Sequence, residues 1–187
     1  MRRVVVTGLG TINPLGNTVD TSWNSLINSK SGISKITQFD VENYPCKIAG
    51  SIDNSKINEE IVSQREQRKI DRFITLGLIA ASEAISDSGF VSDNDNSSRS
   101  GVMVGSGIGG LDTIYKNSSI LDDQGIKKIS PFFIPSSLIN LLSGHISIKY
   151  NLRGPNSSPV TACATGAHAI GDSFTIIKND KADLMVC

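Results

Sequence analysis

The sequence predicts an α/β domain that contains a parallel sheet. Two apolar runs, residues 3–7 and 101–104, are rich in β-branched residues and have the length of strands. Continuous runs of this kind are typical of parallel sheets, whose strands are covered on both faces. Residues 64–88 carry apolar side chains at helical spacing and end at a glycine, which predicts a long amphipathic helix. With 187 residues, the chain is long enough for one domain with a substantial core.

Composition narrows the classes of function. Eighteen basic and eighteen acidic residues cancel, so no global charge attracts nucleic acid or a membrane. A charged partner must therefore be recognised by a local patch. The three cysteines, at positions 46, 163 and 187, fit neither a disulfide framework nor a zinc site. No run is long enough for a signal peptide or a transmembrane helix, so we expect a reducing, cytoplasmic compartment.

The first sixty residues predict a strand, a short helix and then loops. The strand covers residues 3–7 and the helix covers residues 18–28. Residues 29–60 are rich in Ser, Asn and Gly, which predicts loops with short strands. Within them, Cys46 is expected to be a minor packing residue.

The predicted helix over residues 64–88 carries a basic stripe in its first two turns. Four cations recur at spacings that place them on one face: Arg65, Arg68, Lys69 and Arg72. Such a stripe is most often an ordinary solvated face. The alternative interpretation is a docking surface for an acidic partner, and spacing alone leaves both open.

A glycine-rich loop follows the second predicted strand. Gly105, Gly107 and Gly110 match the spacing of a dinucleotide-binding motif. We reject that interpretation, because the acid that binds the ribose should end a second strand, whereas Asp122 and Asp123 lie in a predicted turn. The glycines instead predict a place where a backbone or a ligand approaches closely.

Residues 130–135 place two aromatic side chains between two prolines, which predicts a stiff, extended segment. Pro135 is expected to open a helix over residues 136–150. His145 lies on this helix, where we expect a packed or surface histidine. A turn over residues 151–155 then precedes the stretch on which the functional argument rests.

Cys163 lies between a short β-prone run, residues 159–162, and a helix predicted to extend to about residue 178. The first helical turn has free N–H groups and the positive end of the helix dipole, so a thiol there is biased toward the nucleophilic thiolate. The alternative is an inert buried cysteine, and the residues alone leave both open. The many small residues of this helix predict burial on several sides. A last strand is predicted over residues 183–187, so we expect the sequence to end within a strand.

Several collinear stretches occur together in one enzyme family: Val4–Gly10, Ser31–Ile33, Gly105–Gly110, Ser130–Pro135, Leu152–Pro155 and Thr161–Gly166. Together they resemble the β-ketoacyl-acyl carrier protein synthases, the condensing enzymes of fatty-acid elongation. The Gly-Ile-Gly-Gly loop and the Ser-Pro-Phe-Phe run are most similar to the type II synthases. This resemblance identifies Cys163 as the acyl-accepting nucleophile.

The resemblance implies a thiolase-like fold: two similar α/β halves, each with a mixed five-stranded sheet, stacked with buried helices between them. Residues 1–187 would form the first half, with the second half absent. The family's two catalytic histidines and its active-site lysine belong to that second half. His168 does not replace them, since it lies roughly 140° around the helix from Cys163. Without the second half, we expect the inner helix layer to expose an apolar patch that causes aggregation or requires a partner.

The resemblance also implies the chemistry. Cys163 would accept an acyl group from an acyl carrier protein as a thioester. Malonyl carrier protein would then lose CO₂, and its carbanion would attack this thioester to give a 3-oxoacyl chain two carbons longer. Neither a cofactor nor a metal is implied, because phosphopantetheine arrives on the carrier protein. Residues 1–187 alone are expected to be acylated slowly and not to condense.

The same resemblance implies the binding residues and partners. Basic residues that meet the carrier protein in the family correspond to Arg65, Arg68, Lys69, Lys127 and Lys128. This correspondence favours the docking surface over the solvated face. Ile108 and Phe133 correspond to residues that line the acyl pocket, close to the boundary of the family's homodimer. Two alternatives stay open: a non-catalytic remnant that only binds the carrier protein, and another thiolase-like enzyme such as a polyketide synthase.

Overall fold

The computed structural model describes residues 2–53 and 57–187. Within them the chain forms seven α-helices: α1 (Val19–Ile27), α2 (Gln64–Gln67), α3 (Arg72–Ser88), α4 (Leu111–Gln124), α5 (Phe133–Ser137), α6 (Asn140–Tyr150) and α7 (Thr165–Lys178). It also forms five strands: β1 (Ile33–Lys35), β2 (Ile48–Gly50), β3 (Ser100–Met103), β4 (Asn156–Ser157) and β5 (Leu184–Val186). Short 3₁₀ turns cover Ser97–Arg99, Ile126–Lys128 and Ala162–Ala164. The predicted α/β class is confirmed.

Several elements match their predictions closely. The helix over residues 18–28 forms as α1, where the Thr18 side chain caps the first turn. The loop-rich region contains β1 and β2 as expected, although its residues 54–56 lie outside the described part of the chain. Cys46 in this region is exposed and does not pack as predicted, because the surrounding loop leaves it at the surface.

The five strands belong to two separate sheets. β3 is the central strand of a parallel sheet and pairs with β4 on one side and with β5 on the other. β1 and β2 form an antiparallel pair of their own. The resemblance implied one mixed five-stranded sheet, whereas the described residues form a three-stranded and a two-stranded sheet. All of β3 is buried, since it contacts both flanking strands and the helices α6 and α7.

Residues 3–7 do not form the buried strand that their sequence predicts. They pair with no strand in the described part of the chain, and most of them are exposed. The chain that follows is held against α3 instead, because the carboxylates of Asp87 and Glu83 accept hydrogen bonds from the N–H groups of Leu9 and Thr11. An apolar cleft of about 230 Å³ is lined by this N-terminal segment and by β5. The β-branched residues of this segment form no strand, because a strand also needs a partner with which to pair.

The hydrophobic core lies between α3, α6 and β3. Ile74 of α3, Ile146 of α6 and Val102 of β3 are each 0% exposed. Ser143 is also fully buried, and its hydroxyl lies within hydrogen-bond distance of the carbonyl oxygens of Val102 and Ser157. This hydroxyl ties α6 to two strands. The remaining buried members of the core are Val62, Leu78, Ile79, Ala81, Leu142 and Leu152.

The helix predicted over residues 64–88 is broken in two. α2 ends at Gln67 and α3 begins at Arg72, because the intervening Asp71 has an extended backbone and caps α3. The Oδ1 atom of Asp71 accepts a hydrogen bond from the Phe73 N–H at 3.2 Å. An aspartate side chain that competes for backbone N–H groups favours a cap over a helix interior. Apolar spacing alone did not indicate this break.

The segment around Pro135 also differs from its prediction. Residues 131–135 are not extended: a turn at Pro131 and Phe132 leads into α5, and Pro135 lies in the first turn of that helix. The first turn tolerates proline, because its N–H groups have no partner inside the helix. The longer helix predicted from Ser136 is interrupted at Leu138, whose backbone is extended, before α6 begins.

Candidate active site

Cys163 lies in the 3₁₀ turn Ala162–Ala164, directly before α7. The preceding strand ends at Ser157, and Pro159 has no N–H with which to extend the ladder. Ala162 has a φ of 50°, an uncommon conformation for a residue with a Cβ. This bend directs the chain from the sheet into the helix, although residues 159–162 are not a strand. The cysteine is exposed rather than buried.

Thr165, the first residue of α7, fixes the main chain around the cysteine. It is buried, and its Oγ1 accepts a hydrogen bond from the Thr161 N–H at 3.0 Å. The same hydroxyl donates to the Ala162 carbonyl oxygen at 2.8 Å. The Ala164 N–H donates to the Thr161 carbonyl oxygen at 3.0 Å. The main chain on both sides of Cys163 is therefore fixed by hydrogen bonds.

The local field at Cys163 favours negative charge. Among the described residues, no side chain caps the N-terminus of α7. The first N–H groups of this helix and the positive end of its dipole therefore lie beside the turn that carries the thiol. The first of these N–H groups, that of Thr165, donates to the Ala162 carbonyl oxygen.

The glycine-rich loop after β3 packs directly on the elbow, by which we mean residues 159–164, where the chain bends from the sheet into α7. A Cβ at Gly105 would overlap the Pro159 carbonyl oxygen and crowd Thr165. A Cβ at Gly107 would lie 3.5 Å from the main chain of Ala162. The predicted close approach is confirmed at Gly105, where the approaching group is the backbone of the elbow, and at Gly110, where a Cβ would lie 2.6 Å from the Cα of Ser137. At Gly107 a Cβ would make an ordinary contact.

The far end of the same loop contacts α5. The Gly110 N–H donates to the carbonyl oxygen of Ser137, the last residue of α5, at 3.0 Å. Ile108 lies within the loop with 64% of its surface exposed. Phe133 is the first residue of α5 and is partly buried. The structure thus places the two predicted pocket residues on adjoining segments, with Cys163 at the other end of the loop.

The predicted docking residues form two exposed groups. Arg65 lies on α2, and Arg68 and Lys69 follow it in the link to α3. Lys127 and Lys128 lie in the 3₁₀ turn after α4 and are exposed. The break in the predicted helix therefore places Lys69 and Arg72 on separate elements, so they do not continue one stripe.

A polar cleft of about 470 Å³ is lined by two of these five cations. Arg68 and Lys69 are among its lining residues, as are Ser130 and Phe132 of the segment that follows Lys128. The Nζ atom of Lys69 lies 5.3 Å from the centre of the Phe132 ring, a distance at which a cation is attracted to an aromatic face. The cleft brings the first basic group next to the segment that leads from the second group into α5.

Two more cations line this cleft, Arg72 and Lys116. Lys116 forms an ion pair with Asp112, one turn earlier on α4, at 2.5 Å. Sequence reasoning included Arg72 in the basic stripe but did not identify Lys116. The only signal for Lys116 in the sequence is its spacing from Asp112, which indicates an ion pair on one helix. This spacing does not indicate which other element of the fold lies next to Lys116.

Asp71 joins the elements that surround the cleft. Its side chain is buried and caps α3, as described above. Its second oxygen, Oδ2, accepts from the N–H of Thr113 in the first turn of α4 at 3.0 Å. Its own N–H donates to the Ser136 carbonyl oxygen of α5 at 3.3 Å. Three helices therefore meet at one residue.

Glu66 places a negative charge within the basic surface. Hydrogen bonds from the hydroxyl and the N–H of Ser63 lower the pKa of Glu66, which keeps it ionised at neutral pH. His145 on α6 interacts with this carboxylate, but burial dominates and lowers the pKa of His145. The charge of Glu66 partly offsets that of the neighbouring Arg65 and Arg68.

His168 is bonded to groups other than the thiol. Its Nδ1 lies 3.3 Å from Thr161 Oγ1, and its Nε2 lies 3.1 Å from Asp172 Oδ2. The sequence predicted that this histidine does not reach Cys163. The contacts of its two ring nitrogens direct it along the surface of α7.

Comparison with known proteins establishes the family. The model of the beta-ketoacyl synthase N-terminal domain matches residues 1–187. The chain belongs to the beta-ketoacyl synthase family. A 3-oxoacyl-[acyl-carrier-protein] synthase 2 of Rhizobium meliloti (strain 1021) is 46% identical over 193 residues, which cover 100% of this chain and 46% of that relative. The chain thus spans about half the length of the curated relatives it matches.

Solved structures agree with the synthase fold. A beta-ketoacyl synthase from Burkholderia phymatum STM815 matches with a TM-score of 0.84, at 23% identity over 99% of this chain and 46% of that one. A type II polyketide synthase acyl-carrier protein in complex with its ketosynthase matches with a TM-score of 0.74. That match has 27% identity over 98% of this chain and 48% of the other. The predicted thiolase-like fold is confirmed.

No helix within residues 2–53 and 57–187 is both long and apolar enough to cross a membrane. In the same part of the chain, no group of three or more histidine, cysteine, aspartate or glutamate side chains is arranged to hold a metal ion.

Proposed function

We propose that this chain is the acyl-accepting part of a condensing enzyme that elongates fatty acids. The observation that carries the proposal is the position of Cys163 in a chain matched by the synthase family over its whole length. Its thiol is exposed at the start of a helix that no side chain caps within the described residues. This position supports a reactive thiol over an inert buried cysteine.

The first half-reaction is acyl transfer to Cys163. The Cys163 thiolate attacks the carbonyl carbon of an acyl carrier protein thioester and forms a new C–S bond. The bond from that carbon to the pantetheine sulfur of the carrier breaks, and the sulfur leaves as a thiolate that takes up a proton. The positive end of the α7 dipole lies beside the turn that carries Cys163 and favours the oxyanion formed during this step.

The second half-reaction extends the chain. Malonyl carrier protein loses CO₂, and the electron pair of the broken C–C bond attacks the carbonyl carbon of the Cys163 thioester. The product is a 3-oxoacyl carrier protein, and the Cys163 thiolate is released. Both acyl groups arrive on phosphopantetheine arms of the carrier protein, so the synthase itself needs no further cofactor for this chemistry.

The 187-residue chain on its own should perform the first half-reaction and not the second. Decarboxylation needs a group that stabilises the developing negative charge of the malonyl group. His168 is bonded to Thr161 and Asp172, and His145 interacts with Glu66. Because both histidines are engaged in these contacts, we assign neither of them to the malonyl carbonyl.

The proposed partner is an acyl carrier protein, which binds at the basic surface around the polar cleft. A similar solved structure contains an acyl-carrier protein bound to its ketosynthase. In this chain the exposed Arg68 and Lys69, which follow α2, line a cleft that Phe132 also lines. Phe132 directly precedes α5, whose first residue is Phe133, so a carrier bound at the cleft would lie next to the proposed acyl pocket.

A polyketide-type condensing enzyme is the second candidate, because one similar solved structure is a polyketide ketosynthase complex. The identities favour fatty-acid elongation: 46% to the 3-oxoacyl-[acyl-carrier-protein] synthase 2 relative against 27% to the polyketide complex. A saturated acyl carrier protein and a polyketide-type acyl thioester, offered in competition to the same chain, distinguish the two.

Mass spectrometry of the chain after incubation with a saturated acyl carrier protein tests the proposal. We expect a mass gain of one acyl group in the unaltered chain and in Cys46→Ala, and none in Cys163→Ala. Cys46 is the matched control, because its thiol is also exposed. Circular dichroism establishes that each variant is folded.

Two outcomes would contradict acyl transfer. One is a mass gain that persists in Cys163→Ala, which would place the acceptor elsewhere. The other is no gain in a folded, unaltered chain. If that chain nevertheless binds the carrier protein, the non-catalytic binding module described above becomes the better interpretation.

Charge reversal tests the docking surface separately. Lys69→Glu should weaken binding of the carrier protein about tenfold, because like charges then face each other across the interface. Lys47→Glu, an exposed lysine near β2, is the matched control and should leave the affinity unchanged. Equal effects of the two substitutions in a titration at constant ionic strength would show that no local surface recognises the carrier.

A further inference from the structure

A row of polar contacts extends along α7 to the turn that carries Cys163. Asp172 and His168 are one helical turn apart, and His168 Nε2 lies 3.1 Å from Asp172 Oδ2. The other ring nitrogen, Nδ1, lies 3.3 Å from the hydroxyl of Thr161. Thr161 directly precedes the 3₁₀ turn. A carboxylate, an imidazole and a hydroxyl thus connect the second turn of α7 to Thr161, the residue before the 3₁₀ turn.

The three groups determine one another's proton positions. An ionised carboxylate only accepts hydrogen bonds, so a neutral His168 donates to Asp172 through its Nε2–H. Nδ1 then carries a lone pair and accepts from the Thr161 hydroxyl. Asp172 therefore selects the tautomer of His168, and His168 in turn directs the hydroxyl of Thr161 toward α7.

Thr161 is bonded through three of its groups. Its N–H donates to Thr165 Oγ1, its carbonyl oxygen accepts from the Ala164 N–H, and its hydroxyl meets His168. The next residue, Ala162, has a φ of 50°, a conformation that an L-residue keeps only where its surroundings hold it. Breaking the bond between the Thr161 hydroxyl and His168 removes one of the contacts that hold Ala162 in this conformation.

We propose that Asp172 and His168 are positioning residues for Cys163 and that they act through Thr161. They keep the elbow in the conformation in which the thiol lies at the N-terminus of α7. In these contacts neither residue touches the thiol, so neither is a catalytic residue. The proposal rests on the proposed function in one respect, namely that Cys163 is the reactive nucleophile.

Alkylation by iodoacetamide tests this positioning without a carrier protein. Mass spectrometry of the digested chain gives separate alkylation rates for Cys163 and Cys46 in the same sample. Cys46 is the internal reference, because it is exposed and lies outside α7. The measured quantity is the ratio of the Cys163 rate to the Cys46 rate. Because no acyl group is transferred, a failure of the acyl transfer proposal does not affect this readout.

His168→Ala and Thr161→Val should each lower this ratio by about two- to fivefold, which is the range expected when a thiol loses the favourable field of a helix N-terminus. His168→Gln should restore most of the ratio, because an amide can donate to Asp172 and accept from Thr161. The double variant His168→Ala/Thr161→Val should lower the ratio no more than either single variant, since both substitutions break the same bond between His168 and Thr161. Thr175→Val removes another exposed hydroxyl of α7 and is the matched control.

Three results would overturn the proposal. The first is an unchanged ratio in His168→Ala, and the second is a loss in the double variant that equals the product of the single losses. The third is a His168→Gln variant that reacts like His168→Ala. A substitution that merely unfolds the chain changes the helical circular dichroism signal. If His168→Ala is unfolded by this criterion, the comparison of His168→Gln with the unaltered chain tests the proposal instead.

Discussion

Helices α3 and α7 have similar lengths and opposite surroundings. α3 is the main helix of the core and buries five residues: Ile74, Thr75, Leu78, Ile79 and Ala81. α7 buries three residues, and all of them are small: Thr165, Ala169 and Ser173. Two of its four larger apolar side chains, Ile170 and Phe174, are 59% and 44% exposed, while Ile176 and Ile177 are half-buried. The described residues therefore cover the apolar face of α7 less completely than that of α3.

This difference corrects one prediction and agrees with another. The small residues of α7 predicted a helix buried on several sides, and in this chain that is wrong, because a Cβ at Gly166 or Gly171 would meet no atom within 4 Å. The resemblance, however, implied that the inner helix layer is exposed when the first half stands alone. Sequence patterning thus identifies which face of a helix is apolar, but not which element covers it.

The largest expected effect separates the two helices directly. Ile74→Ala removes a side chain that is 0% exposed and should lower the free energy of unfolding by about 2–5 kcal/mol. Ile170→Ala, at an exposed position of α7, should change it by about 0.5 kcal/mol or less. Urea unfolding followed by circular dichroism measures both. Equal losses would mean that α7 is covered in solution, for example by a second copy of the chain.

A pair of glycines sharpens the comparison at the site itself. Gly105→Ala places a methyl group against the Pro159 carbonyl oxygen, and the resulting overlap should cost about 1–3 kcal/mol of stability. Gly166→Ala meets no neighbour and should stabilise α7 by about 0.5–1 kcal/mol, because alanine favours a helix. Thermal unfolding of the two variants checks the opposite signs. A destabilised Gly166→Ala variant would indicate that another element packs on α7.

The two helices also begin differently, since Asp71 caps α3 and no described side chain caps α7. Asp71→Ala should cost about 1–2 kcal/mol, because it removes the cap and leaves the N–H groups of Phe73 and Thr113 without their acceptor. Asp71→Asn retains an acceptor oxygen and should cost less. If the two variants lose equal stability in urea, the negative charge rather than the cap is what matters.

The smallest effect concerns the chain that follows α7. Hydrogen bonds from Arg99, and then from Arg2, lower the pKa of Asp183 to about 2. Because folding lowers this pKa, the interaction stabilises the fold fully above the ordinary aspartate pKa of about 4 and is lost as the pH falls toward 2. The stability difference between the unaltered chain and Asp183→Asn should therefore shrink between pH 5 and pH 2. Urea midpoints across this range give the difference, and a constant value would contradict the ion pair.

Local patterns predicted the elements whose partners are also local. The helix over 18–28 and the strand over 101–104 formed with small shifts, since capping and apolar runs specify them. Residues 3–7 have the same strand pattern but no strand partner among the described residues, and pairing is a non-local property. The break at Asp71 was missed because apolar spacing continues on both sides of it, while the cap depends on contacts with α4 and α5.

The candidate site was predictable where a motif carried it. Cys163 and the glycine-rich loop were located from the sequence, and the contact between Gly105 and the elbow explains why that loop needs glycine. The spacing of His168 and Asp172 also predicts a pair on one helical face. Their link to Thr161 was not predictable, because it depends on the turn at Ala162. Lys116 joins the polar cleft only through the packing of α4 against the link before α3.

The three bonds at Asp71 have a consequence for how the molecule opens. Its carboxylate holds the first turns of α3 and α4, and its N–H holds α5, so none of these helices can separate from the others without breaking a bond to one residue. Amide groups that are exposed by one cooperative opening share the same free energy of opening. The N–H groups of Phe73 and Thr113, 40 positions apart, should therefore give the same free energy of opening in deuterium exchange, once their intrinsic exchange rates are taken into account.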